Sequence, residues 1–182
     1  MRLFVNQIGI TFFALVLTMA VARMENSSFK LWVSIFSILF YLFLIYSVMW
    51  EAGAKNIIPI EAGRMEKDPF FSLKAALCAS VPNLILAFLM TLFFLLGFVA
   101  SLSWAGGAYG VLHIITALFE AMYVGLFSTI LESFSGTQQY LVACILYLLS
   151  WIPLAVVSVG AYALGLRNIR LFGKAPAQNG KK

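Results

Sequence analysis

Long apolar runs alternate with short polar connectors along the chain, and within each run the apolar residues are continuous rather than every second position. A bilayer core of about 30 Å is crossed by about 20 helical residues. Five runs reach that length, at residues 3–22, 31–50, 82–102, 111–131 and 141–165. Strands of a membrane barrel would alternate in polarity, so the pattern predicts an all-α fold, a polytopic transmembrane helical bundle. The chain reads as a single integral membrane domain over 1–182, with a connector over 51–81 and a basic tail over 166–182.

Local signals refine these bounds. Asp68-Pro69 has the form of a helix start, an N-cap acceptor followed by proline at the first helical position. A straight helix from Pro69 to Leu102 would be about 50 Å long, more than a bilayer needs. Pro82 offers a break, because its ring removes the hydrogen bond to the Cys78 carbonyl. The pattern therefore predicts a short interfacial helix over 70–81, with Lys74 reaching the headgroups and the crossing beginning after the proline. The glycine-rich stretch 105–110 reads as a flexible turn. Trp50, Trp104, Tyr109 and Tyr140 fall at segment ends and read as interface anchors. The first run has a second reading: Arg2, the apolar stretch and Ala20-Val21-Ala22 also fit a cleaved signal peptide. The run exceeds the usual 7–15 or so apolar residues of such signals, and a retained helix is expected. Asn26-Ser27-Ser28 fits a glycosylation sequon placed very close to the bilayer.

Composition narrows the class. The chain is 63% hydrophobic and 10% charged, against about 45–50% and 25% for soluble domains. That excludes a soluble enzyme, a disordered chain and a disulfide-stapled secreted module. The net charge of +5 lies between the apolar runs and in the tail, where membrane topology requires it, so the partner is the lipid bilayer and not nucleic acid. Cys78 and Cys144 lie in apolar runs as small hydrophobes. With one histidine and no H-E-x-x-H, G-x-S-x-G or phosphate-loop string, no metal, cofactor or catalytic residue is expected.

Charge placement also poses a topological conflict. Lys55, Arg64, Lys67 and Lys74 make the long connector cytoplasmic, and Arg167, Arg170, Lys174, Lys181 and Lys182 do the same for the tail. An even number of crossings must then separate connector from tail, yet three apolar runs lie between them. Either 111–131 is a re-entrant or tilted segment shielded by its neighbours, or the chain crosses five times and its tail lies outside. Glu120 at the centre of that run favours shielding, since a carboxylate there costs about 2.5–3.5 kcal/mol on insertion.

The same run holds the chemistry. His113, Thr116, Glu120 and Tyr123 recur at helical steps of three and four and share one face. Ala117, Ala121, Gly125 and Thr129 form a second stripe of small residues suited to close helix packing. An intramembrane carboxylate is a candidate proton carrier, cation ligand or partner for a cationic substrate, and its alternative role is to pin one helix to another. His113, nearer an end, reads as interfacial, and Asn83 is a further interior polar candidate. A third stripe, Cys144, Tyr147, Ser150, Ser158 and Tyr162, is interrupted by Pro153, whose freed carbonyl Ser150 or a water could satisfy. The substrate- or ion-binding candidates are thus Glu120, Thr116, Tyr123, His113 and Asn83.

The stretches Trp50-Glu51-Ala52-Gly53-Ala54-Lys55-Asn56, Glu61-Ala62-Gly63-Arg64-Met65, Ser80-Val81-Pro82-Asn83 and Gly165-Leu166-Arg167 resemble connectors of small polytopic membrane proteins of Gram-positive bacteria, a group without an assigned function. The resemblance implies a multi-pass protein of a bacterial plasma membrane. Size and basic loops also resemble the substrate-binding subunits of energy-coupling-factor vitamin transporters, which have six helices where this chain offers five. Ala14, Thr18 and Ala22 would give the first helix a ridge for a partner membrane subunit or a second copy. The expected function is a small transport-related component, a carrier or substrate-capturing subunit. The alternative is a non-catalytic accessory protein whose interior polar groups only fasten helices.

Overall fold

Without water to compete, an apolar chain must satisfy its backbone hydrogen bonds within itself, and every regular element among the described residues is a helix. The computed structural model describes residues 9, 12, 13, 16, 27–66, 68 and 70–169. The helices are α1 (Ser27–Glu61), α2 (Phe71–Val99), α3 (Ser103–Phe119), a 3-10 turn (Ala121–Tyr123), α4 (Val124–Leu131), α5 (Thr137–Leu149) and α6 (Trp151–Leu166). Of the run predicted at 3–22, Gly9, Phe12, Phe13 and Val16 are helical, and the Phe13 ring lies 5.6 Å from that of Phe40. Arg2, the Ala14, Thr18 and Ala22 ridge, the possible cleavage site, Asn26, Pro69 and the tail from 170 onward lie outside the described residues.

Several expected boundaries move. α1 runs on to Glu61 instead of ending at 50; helix-forming Ala52 and Ala54 and the Glu51–Lys55 ion pair (2.6 Å) carry it forward. The connector shrinks to 62–70. α2 is one 29-residue helix that passes through Pro82, so no separate interfacial helix forms over 70–81. Strongly apolar flanks outweigh the single hydrogen bond that Pro82 forfeits. The helix begins at Phe71 with Phe70 as its N-cap, so Asp68 precedes the cap instead of supplying it; its carboxylate accepts from the Phe70 N–H (2.9 Å) and pairs with Lys74 (2.8 Å). The stretch 105–110 is helical within α3 rather than a turn. Its small residues let α2 approach: a Cβ on Gly97 would stand 3.5 Å from the Gly106 nitrogen.

Contacts fix the course of the chain. Tyr109 meets Tyr140 (5.6 Å between rings), His113 meets Tyr147 (5.7 Å), and Glu120 meets Ser150 (2.7 Å), so α3 and α5 run in the same direction. Phe71 meets Tyr162 (5.2 Å) and Phe94 meets Tyr140 (6.4 Å), so α2 runs opposite to α5 and α6. The connector 62–70 and the end of α6 consequently lie at one end of the bundle. The end of α2 and the starts of α3 and α5 lie at the other, where Ser101, Ser103 and Thr137 border one cavity.

α1 and α6 cross at Gly53 and Gly165. A Cβ on Gly53 would be 3.0 Å from the Gly165 Cα, and one on Gly165 would run into the Trp50 carbonyl. Only hydrogen fits between two backbones this close. Trp50, expected as an interface anchor, is buried, and its indole N–H donates to the Ile169 carbonyl (2.6 Å), latching the turn after α6. Asn56 donates to the Tyr162 hydroxyl (3.1 Å) beside the same crossing.

Burial is arranged for lipid. Trp32, Phe36, Phe88 and Val156 point outward, each more than half exposed, whereas Ser34, Ser72, Ser80, Thr116, Glu120 and Ser158 are inside. Polar groups gathered inside a largely apolar core, under an apolar surface, suit a bundle whose solvent is hydrocarbon. Among the described residues three helices, Ser28–Glu61, Phe71–Phe98 and the joined Thr137–Leu166, are long and apolar enough to cross a membrane, and α3 with α4 form a further pair bent by 89°.

Candidate functional site

The predicted helix 111–131 breaks at Glu120. Its backbone leaves the helical region (φ −110°, ψ 33°), the 3-10 turn follows, and α4 departs nearly at right angles. The shared face of His113, Thr116, Glu120 and Tyr123 therefore ends at Glu120, with Tyr123 on the turn beyond.

A side chain from another helix holds the break open. In a regular helix the Leu126 N–H would donate to the Met122 carbonyl four residues earlier. Ser34 of α1 stands between them: its Oγ donates to the Met122 carbonyl (2.6 Å) and accepts from the Leu126 N–H (3.1 Å). Insertion of a side chain into the helical ladder is a recognised cause of sharp bends. Gly125 makes the approach possible, because a Cβ there would lie 2.6 Å from the Lys30 carbonyl and 2.9 Å from the Ser34 Cβ. The small-residue stripe thus serves close packing at Gly125, although the bend prevents it from continuing as one face.

Glu120 is fully buried at the tip of the bent pair. Ser150, between α5 and α6, places its Oγ 2.7 Å from Glu120 Oε1 and 2.8 Å from the Tyr147 carbonyl. Pro153 lacks the N–H that would bond the Leu149 carbonyl, which loosens this point of the helix. The Ser150 hydroxyl does not take up that carbonyl but turns to Tyr147 and Glu120. Two interrupted helices are thereby joined through a carboxyl group. The Ser150 hydroxyl donates toward both acceptors, a three-centre hydrogen bond shared between Glu120 Oε1 and the Tyr147 carbonyl. Glu120 Oε2 is buried without a hydrogen-bond partner, as is Ser158 Oγ in α6.

Around this carboxyl, Tyr41, Tyr123 and Tyr147 are all buried and within electrostatic reach. The Tyr123 hydroxyl lies 3.4 Å from the Ser150 carbonyl. Asn83 is buried on α2 and lines, with Tyr41, Ser80, Tyr123 and Ser150, a cavity of about 10 Å³, room for about one water. Thr116 is buried with its hydroxyl bonded to the Leu112 carbonyl (2.8 Å), so its polar group is spent within its own helix. Among the described residues no cluster of three metal-ligating side chains occurs.

His113 belongs elsewhere. It lies nearly two turns toward the start of α3, stacked on Tyr109 (5.9 Å), and lines a cavity of about 890 Å³ at the bundle end that Glu120 does not border. The candidates thus separate into a packed cluster of Glu120, Tyr123 and Asn83, and an open chamber at His113. Sequence reasoning missed Ser34 and Tyr41, polar groups inside the run 31–50 whose partners lie on other helices. It named Ser150 as a member of a polar stripe and a satisfier of the proline break, not as a partner of Glu120. No protein-family model, curated protein or solved structure matches the chain.

Proposed function

We propose that the chain is a small transport-related component of a bacterial plasma membrane, with Glu120 as its proton-carrying group. In this reading α1, α2 and the α5–α6 pair cross the bilayer, and α3–α4 is a re-entrant segment bent at Glu120. Two crossings then separate connector 62–70 from the tail, which puts both basic segments in the cytoplasm and removes the parity conflict. Discontinuous helices meeting near the midplane are a recurrent feature of transporter sites. The observation that carries the proposal is the bond between Glu120 and Ser150, an ionisable group joining two helix breaks deep in the bundle.

A second reading, an accessory protein in which Glu120 only fastens helices, is favoured by the tight packing around it, where the adjoining cavity is about 10 Å³. Glu120→Gln separates the two. Gln keeps the size and its side-chain oxygen can still accept from Ser150, so a fastening role survives while proton exchange is lost. In vesicles holding a pH-sensitive dye, the wild-type chain should relax an imposed pH gradient and Glu120→Gln should not, with equal thermal midpoints. A wild type no faster than empty vesicles removes the proton-carrying role. For topology, Arg64→Cys and Asn168→Cys should label from one side and Ser135→Cys from the other, in a chain whose native cysteines are replaced.

A further inference from the structure

The chamber at His113 lies away from Glu120, and its reading does not depend on the proton-carrying role. We propose that it is a binding site for a neutral lipophile that carries a ring and a hydrogen-bonding head. Its volume of about 890 Å³ lies within the range of small-molecule sites, about 300–1,000 Å³.

Glycine makes the room. Gly106 and Gly110 of α3 border the chamber, and a Cβ on either would meet nothing within 4 Å. One wall is aromatic: Phe94, Tyr109 and Tyr140 pack on one another at centroid distances of 5.9, 6.4 and 5.6 Å, and His113 extends the stack. Such a wall offers faces and edges to a ring.

Charge decides the head group. Among the described residues no Lys, Arg, Asp or Glu lines the chamber, so an anion would find no counter-charge there and its desolvation would go uncompensated. An organic cation could lie against one of these ring faces, but no carboxylate among the described residues lining the chamber would balance its charge. The polar groups that remain are the hydroxyls of Tyr109, Tyr140, Ser101, Ser103 and Thr137 and the imidazole of His113, which suits one neutral hydroxyl or carbonyl. Phe98 and Ile114, both 61% exposed, stand at the border, so a lipophile can enter from the surrounding hydrocarbon.

The test uses the purified full chain in detergent and four probes of similar tail length: 4-nonylphenol, 1-decanol, nonylammonium and nonanoate. Native mass spectrometry and calorimetry should show one saturable site for nonylphenol, with the other three weaker by about tenfold or more because each lacks the ring or carries an uncompensated charge. Gly110→Leu should fill the chamber and abolish nonylphenol binding at an unchanged thermal midpoint. Gly106→Leu is the second variant, should the first fail to fold. Glu120→Gln should bind like the wild type, which keeps this outcome separate from the proton-carrying one. Equal binding of nonylphenol and decanol would make the chamber a groove for lipid tails and overturn the proposal. So would preference for either charged probe, absence of saturable binding, or wild-type affinity in the two leucine variants.

Discussion

Ser34→Ala is the most direct test of how the bent pair is built. The substitution removes a hydroxyl that makes two hydrogen bonds across the bundle, at 2.6 and 3.1 Å, to groups 88 and 92 residues away. Each such bond is worth about 1 kcal/mol net in proteins, and nearer 0.6 kcal/mol on average between membrane helices. The expected loss is therefore about 1–2 kcal/mol. The upper figure applies if the Met122 carbonyl and Leu126 N–H stay apart, and the lower if they close on each other and straighten the bend. Equilibrium unfolding in mixed micelles measures the loss directly, and hydrogen exchange at Leu126 tells the two cases apart: faster exchange for an orphaned N–H, slower for a re-formed helical bond. Gly125→Ala gives an independent check, since its Cβ would press on both the Lys30 carbonyl and Ser34. It should disturb the same contact from the opposite side. If Ser34→Ala unfolds with the wild-type free energy and Leu126 exchanges unchanged, the inserted hydroxyl does not hold the break and the account of the bend is wrong.

Three further outcomes follow from other positions. Gly165→Ala should cost about 1–3 kcal/mol, because its Cβ meets backbone of α1 that cannot give way. Gly160→Ala on the exposed face of the same helix, with nothing within 4 Å, should be neutral or stabilising by up to about 1 kcal/mol in the same unfolding assay. At the connector, the Lys74 ammonium and then the Phe70 N–H hold the Asp68 carboxyl below its ordinary value. A lowered folded value means that the contribution is complete above the unfolded value, about pH 3.9, and is lost as pH falls through the folded one. A thermal-midpoint titration should show a shallow decline below about pH 4 that Asp68→Asn removes.

The sequence alone determined the helical class and the location of most apolar segments, because the length of an apolar run and the need to satisfy backbone groups internally are local properties. It also located the interior polar groups Glu120, Thr116, Asn83 and Ser150, since a polar residue within a long apolar run stands out without any knowledge of the fold. Local breaker rules did worse. Pro82 and the glycines of 105–110 read as interruptions, yet both lie within helices, because in this setting an internal hydrogen bond is worth more than the local preference against it.

Tertiary structure decided the rest. Nothing near Glu120 in sequence announces that the helix stops there; the break is stabilised by Ser34, which reaches it from α1. Trp50 looks like an interface anchor until the turn at Ile169 offers its carbonyl, and Gly53 acquires meaning only opposite Gly165. His113 and Glu120 share a predicted face but face different surroundings, one an open aromatic chamber and the other a packed carboxyl cluster. Hydropathy is summed along the chain, whereas a bend, a backbone crossing and a cavity depend on which distant residues arrive beside them.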